Sequence, residues 1–434
     1  MTITSLPTIC EAQDAIRSGV LGPTQLVDYC IQQIDKQEGT IKAWVFVDEE
    51  GARAEAQRQE EQLRNGIYPG PLTGIPIGIK DIIDVKGWPT LAGSPLRSLY
   101  PVAAHDASLV SRLRAAGAIL LGKTVTTQYA HLDPPMTVHP MDANRTPGGS
   151  SSGSAAAVAT EMCMAAIGTQ TGGSIIRPSS YCGVVGFKPS FARIPTDGVI
   201  PVSQHMDHVG PIARCVSDAE AIFKVLAGDY YQNSSEIHTV PRFHLFQDFF
   251  DEASESVRHV TLAAVHSIWQ EAEPAQIRLP FLHEEVQRHF SLIVSVDAAI
   301  YHQSGFHMHP EGFSPKLSQL IQDGQQVFAV NYISALQAQD SMRNQVDHFF
   351  AEGVVAVMPA TTTTAPDRSS TGDPRFNMLW SFLGLPSITI PCGYPSEDRL
   401  PCGLQLVSQK GSEALLLKAA IFCEEVLQAS SSSC

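Results

Sequence analysis

The sequence predicts an α/β protein built as one large domain, and three observations carry that expectation. Apolar runs of strand length, among them AWVFV (43–47), IPIGIK (75–80) and VVAVMPA (354–360), alternate with segments of helix length. The 434 residues are 44% hydrophobic and only 17% charged, a balance that supports a sizeable buried core. No internal repeat and no long polar linker divides the chain.

Taken in order, residues 5–65 read as helical with one interruption. The Gly22-Pro23 pair breaks the chain, and Thr24 is placed to cap a helix through about residue 36. AWVFV is a strand, residues 48–65 a charged helix and YPGPLTG a turn-rich connector. IPIGIK then reads as a buried strand that delivers Lys80 at its end. Lysine seldom gives up water, so Lys80 is either a surface residue paired with Asp81 or an amine put there for chemistry. A helix over 106–116 leads into AILLGKT. Residues 117–124 satisfy GxxxxGK[ST] literally, yet a phosphate loop needs a strand before it and a helix after it. Here the segment before is helical and the intervening Ala-Ile-Leu-Leu belongs in a buried strand, so no nucleotide site is expected.

Two knots of glycine and serine follow, at 148–154 and 172–174, flanking a small-residue helix and a short apolar strand. Glycines at such junctions let the backbone turn tightly and approach a ligand closely. Residues 149–153 also fit G-x-S-x-G, the nucleophile elbow of α/β-hydrolases. That elbow requires a hydrophobic strand immediately before it, whereas HPMDANRTPG is polar, which disfavours a Ser-His-Asp hydrolase using a downstream histidine such as His302. Beyond residue 189 come short strands and a helix capped by Ser217. Residues 230–350 alternate helix and strand patterns without a readable motif, although Arg242 or the histidines there offer pocket residues. His302, His307 and His309 lack the Cys or carboxylate partners of a tetrahedral metal site and are expected as exposed loop or lid histidines. VVAVMPA, a Thr/Pro/Asp loop beside the site, LGLPSITIP, GLQLVS and a helix over 412–428 complete the chain.

Composition excludes several classes. A net charge of −15 with no basic tract opposes nucleic-acid binding. No apolar run reaches the length of a membrane span, and the N-terminus lacks the basic and apolar regions of a secretory signal. Nine scattered cysteines without CxxC pairs read as reduced thiols of a cytoplasmic protein.

The stretch GGSSSGSAAAVATEMCMAAIGTQTGGSIIRPSSYCGVVGFKP (148–189), together with GIPIGIKDIIDVKG upstream, resembles the amidase signature family of serine hydrolases. The similarity is dense over 68–228, thins through the middle and resumes at VVAVMPA and LGLPSITIPCG. The resemblance implies an α/β/α sandwich around a mixed central sheet. It divides the chain into an N-terminal helical segment (1–67), a signature core (68–228), a variable pocket region (229–350) and C-terminal core elements (351–434). It makes Ser174 the nucleophile, Ser150 a bridging serine on a cis peptide, and Lys80 the base. The N–H groups of Thr171, Gly172, Gly173 and Ser174 become the oxyanion hole, Ser151 a supporting residue, and Asp207 stands where the family usually has an aspartate. No metal or cofactor is implied, and family members are often homodimers.

Two departures bear on substrate. The family's usual Asp, four residues before the nucleophile, is Gln170, and its usual Arg has moved to Arg177, three residues after. This form is similar to malonamidase-like free-standing amidases, in which the shifted arginine binds the substrate's carboxylate. Gln170 and Arg177 are thus expected at the substrate, a small amide with a free carboxylate that is hydrolysed to acid and ammonia. The contrary reading ties Arg177 to an internal aspartate. The alternatives for the whole chain are the A-type subunit of a glutamyl/aspartyl-tRNA amidotransferase, which keeps the Asp and the unshifted Arg, and a non-catalytic scaffold.

Overall fold

Short apolar strands with both faces buried must be covered by helices on each side. The computed structural model, which describes residues 3–228, 241–269, 274–278, 283–350 and 353–431, meets that requirement. Its strands are β1 (Trp44–Val47), β2 (Pro76–Lys80), β3 (Ile119–Thr124), β4 (Ala165–Gln170), β5 (Val185–Lys188), β6 (His208–Ala213), β7 (Arg242–Phe246), β8 (Ala275–Ile277), β9 (Val354–Pro359), β10 (Ser387–Gly393) and β11 (Cys402–Ser408). They form one sheet in the order β1-β3-β2-β4-β6-β5-β10-β11-β9-β7-β8. The sheet is mixed: β3, β2 and β4 run parallel, as do β9, β7 and β8, while the strands between them pair antiparallel.

The helices of the first half are α1 (Ile9–Arg17), α2 (Pro23–Ile41), α3 (Glu49–Arg64), α4 (Ser108–Ala115), α5 (Ser152–Ala159), α6 (Ile176–Cys182) and α7 (Val216–Ala227). Those of the second half are α8 (Gln247–Glu252), α9 (Glu255–Trp269), α10 (His283–Met308), α11 (Pro315–Gln325), α12 (Ala329–Phe349), α13 (Arg375–Phe382) and α14 (Glu413–Ser431). α5 and α6 pack together over one face of the central strands, and α7, α9 and α14 pack together over the other. No helix of the described residues is long and apolar enough to cross a membrane.

Several expectations are met and several are corrected. β3 occupies the phosphate-loop lookalike and is buried throughout, and a Cβ on Gly122 would stand 2.0 Å from the Phe46 carbonyl oxygen of the neighbouring strand. α2 is capped by Gly22 rather than Thr24, because Pro23 already has the φ of a first helical residue and lacks only an N–H that would be unpaired there. It continues to Ile41 and stops where Lys42 turns left-handed at φ 56°. Cys215, not Ser217, precedes α7, and the cap comes from elsewhere in the chain: both carboxylate oxygens of Glu424 on α14 lie 3.1 Å from the Val216 N–H. His302 is neither exposed nor in a loop. It sits in α10, buried against Tyr129 and Phe313, and burial pushes its imidazole down to about 4. His307 and His309 are exposed. The eight described cysteines are free, and Cys434 lies outside the described residues.

Candidate active site

The parallel trio at one end of the sheet determines which side chains meet. Ile79 of β2 stands beside Lys123 of β3 on one flank and Ile167 of β4 on the other, so the C-terminal ends of all three strands open toward the same place. Lys80 is the last residue of β2 and is completely buried. Its Nζ lies 2.8 Å from Ser150 Oγ and 2.8 Å from Thr169 Oγ1, near the end of β4. Among the described residues no carboxylate lies within ion-pair distance of this amine, and Asp81 is taken instead by Lys123 at 3.0 Å. Desolvation therefore drives the Lys80 amine well below its ordinary value, opposed by the charge of Asp207. An amine in that state accepts a proton from a hydroxyl at hydrogen-bond distance.

Ser150 enters through a cis Gly149–Ser150 peptide bond and is buried. Ser151 is fully buried as well, and its hydroxyl both donates to the Thr169 carbonyl and accepts from the Thr169 N–H, each at 3.2 Å. Its own N–H donates to the Ser174 carbonyl at 3.3 Å. Ser151 thus ties the loop before α5 both to the end of β4 and to the turn that follows. Ser174 stands in that turn and, at 9% exposure, is the most accessible of Lys80, Ser150 and Ser174.

The turn between β4 and α6 carries Thr171, Gly172, Gly173 and Ser174. Among the described residues no acceptor meets the N–H groups of Gly172, Gly173 or Ser174. Such a cluster suits an oxyanion. Glycine is needed here for space: a Cβ on Gly173 would lie 2.8 Å from an Arg177 guanidinium nitrogen and 2.9 Å from Asn377 Oδ1. One on Gly172 would approach the Phe290 ring at 3.2 Å. Thr171 is held from below, its hydroxyl donating to Asp207 at 2.5 Å. Asp207 also accepts the Val202 and Ser203 N–H groups at 2.8 and 3.1 Å, and burial raises its carboxyl to about 6.

The two departures from the family pattern are placed differently from one another. Gln170 has both ends of its side-chain amide bonded within the protein. Its carbonyl oxygen accepts the Ile175 and Ile176 N–H groups at 2.9 and 3.0 Å, capping α6, and its amide donates to Ser381 at 3.1 Å. Gln170, expected at the substrate, is thus placed as a cap of α6. Arg177 is 3% exposed and binds two carbonyls, Thr371 at 2.7 Å and Gly149 at 2.8 Å. Its remaining terminal nitrogen, Nη1, is buried without a partner, and no carboxylate of the described residues reaches it. No aspartate of the described residues pairs with it directly, although the charge of Asp373 acts on it from further off.

Two residues of the site were not visible in the sequence. Thr169 lies inside the motif, but its contact with Lys80 depends on β2 and β4 being neighbours. Asn377 lies in RFNMLWSF, which has no motif, and its Oδ1 is a buried acceptor without a partner beside Gly173. Arg242 begins β7 at the far side of the sheet, and no cluster of three or more His, Cys, Asp or Glu suited to a metal occurs among the described residues.

Comparison with known proteins identifies the family. The Amidase family model matches residues 25–417. The A-type subunit of glutamyl-tRNA(Gln) amidotransferase from Prochlorococcus marinus (strain MIT 9303) is 30% identical, with 96% of each chain covered. A crystal structure of an amidase superposes with a TM-score of 0.87 at 31% identity, covering 96% of this chain and 99% of that one. An inhibitor-bound complex bearing on the origins of an s-triazine catabolic enzyme has a TM-score of 0.89 at 26% identity over 98% and 99%. Fold, motif order and the family match agree, and the chain belongs to the amidase signature family.

Proposed function

We propose that this chain hydrolyses the C–N bond of a small amide bearing a free carboxylate, giving a carboxylic acid and ammonia through an acyl-enzyme on Ser174. The observation that carries the reading is the buried Lys80 amine 2.8 Å from Ser150 Oγ, with no carboxylate of the described residues within ion-pair distance. Neutral Lys80 takes the Ser150 proton as Ser150 takes that of Ser174, and Ser174 Oγ attacks the amide carbonyl. The N–H groups of residues 171–174 receive the oxyanion. Collapse breaks the C–N bond while the relay returns its proton to the leaving nitrogen, and water then releases the acid. The carboxylate preference rests on Arg177, a buried cation whose Nη1 lacks an anion beside the nucleophile turn. This reading needs no cofactor and no nucleic acid.

A second reading is favoured by a separate observation. The curated relatives named as the A-type subunit of glutamyl-tRNA(Gln) amidotransferase align over nearly the full chain at 28–30% identity, which points to a partner-dependent amidotransferase component more directly than to a free-standing enzyme. Ammonia release from a panel of short amides, half carboxylated and half neutral, separates the two. The purified chain alone is run beside Ser174→Ala. Ser174-dependent release from the carboxylated half supports the first reading in full. Release mainly from neutral amides removes the role of Arg177, and release only after co-expression with a second subunit favours the amidotransferase.

A further inference from the structure

Beyond the triad, α10, a helix from the motif-free middle of the chain, comes to the nucleophile turn at Phe290 and is linked to it through Asp297. Phe290 contacts it directly, its ring 3.2 Å from where a Cβ of Gly172 would stand. Asp297 lies seven residues further on, hence on the same helix face two turns away. Its buried carboxylate accepts Ser203 Oγ at 2.5 Å and Tyr332 OH at 2.7 Å, and His205 Nδ1 lies at 3.0 Å. Ser203 and His205 belong to the same tight turn as Asp207: the Met206 and Asp207 N–H groups donate to the Ser203 carbonyl, and the Ser203 N–H to the Asp207 carboxylate. Asp207 in turn holds Thr171. A continuous set of hydrogen bonds therefore runs from α10 through Asp297, Ser203 and Asp207 to the first residue of the oxyanion turn.

We propose that Asp297 is a positioning residue for amide hydrolysis, holding the 202–207 turn through Ser203 so that Asp207 aims Thr171 and the N–H groups after it at the developing oxyanion. This rests on the acyl-enzyme reading above. A carboxylate buried in the middle of a helix face is expensive unless its acceptors are used, and here they are used by Ser203 of the 202–207 turn and by Tyr332 of α12. The link acts on the transition state, where a small misplacement of preorganised donors is costly. It makes the variable region set the geometry of the reaction centre as well as the shape of the pocket.

The test uses the full chain and a fluorophosphonate, whose phosphorus forms a bond to Ser174 Oγ as fluoride leaves and whose P=O takes the oxyanion position. Labelling rates are read by intact mass at a temperature well below each variant's Tm. Asp297→Ala and Ser203→Ala are expected to label about tenfold more slowly than wild type. Asp297→Asn, which keeps a polar partner for Ser203, and Tyr332→Phe, which loosens the same carboxylate without touching the link, stay near the wild-type rate. In a Thr171→Val background the Ser203→Ala effect disappears, because the chain of bonds already ends at Asp207. If Asp297→Ala does not fold, Ser203→Ala carries the comparison. Wild-type rates in folded Ser203→Ala, or an equal loss with and without Thr171→Val, would overturn the proposal. No labelling of wild type at Ser174 would instead remove the acyl-enzyme reading on which it stands.

Discussion

Two completely buried lysines end up on neighbouring parallel strands, and they meet different partners. Lys80 ends β2, and Lys123 is the penultimate residue of β3, where it pairs in register with Ile79. Adjacent parallel partners project to the same face and successive residues alternate, so Lys80 and Lys123 point to opposite sides of the sheet. Lys123 meets the Asp81 carboxylate at 3.0 Å and the Thr90 hydroxyl at 3.1 Å. Lys80 meets only hydroxyls and a carbonyl. Burial presses both amines toward neutrality, yet at Lys123 the nearest carboxylate opposes it, whereas Lys80 has only the more distant charge of Asp207. Dryness alone does not make a lysine a base; the absence of an adjacent anion does.

The contrast is sharpest when each amine is removed. Lys80→Met should lower kcat/KM by about 10³-fold, the scale of losing a general base, while thermal melting shows Tm unchanged or raised because no buried charge is stranded. Lys123→Met should do the reverse. Asp81 would remain buried without its cation, costing about 3–5 kcal/mol in a denaturant titration, with the turnover of the folded fraction unchanged. A loss of turnover without a loss of stability at Lys123 would break the comparison.

Smaller changes grade it. Thr169→Val removes one of the two hydroxyls that orient the Lys80 amine, and kcat/KM should fall about tenfold, in line with one hydrogen bond to an amine. The pH profile provides the finest distinction. Activity needs neutral Lys80 and is lost on the acid side as the amine takes up a proton. Asp207 favours the charged form, so Asp207→Asn lowers the amine's pKa and moves the acid limb of kcat/KM to lower pH. Asp81→Asn, on the other face, leaves that limb in place. Movement of the limb by Asp81→Asn and not by Asp207→Asn would reverse the assignment.

The proposed catalytic positions stand out in the sequence because they lie in one contiguous run plus one strand end. The Gly/Ser knots at 148–154 and 172–174 mark tight junctions whatever packs around them, and IPIGIK marks a buried strand that delivers its lysine inward. The capping role of Gln170 was not legible, because a glutamine beside a nucleophile looks the same in sequence whether it faces a ligand or caps the next helix. His302 was misread because a motif-free helix gives no sign of which face it buries. The caps of α2 and α7 went astray for different reasons. In α2 the local signal of Pro23 outweighed that of Thr24, and in α7 a carboxylate from some two hundred residues away did the capping.

By itself, then, the chain pointed to most of its strands outside 230–350, to its family, and to Lys80, Ser150 and Ser174 as candidates, since apolar periodicity and glycine placement act over a few residues. Only the tertiary structure decided which lysine has a carboxylate beside it, that no carboxylate of the described residues reaches Arg177 Nη1, and that Asp297 reaches the oxyanion turn through Ser203 and Asp207. Those outcomes depend on which groups meet across the sheet and along α10, and charge, desolvation and hydrogen bonding are properties of neighbours in space.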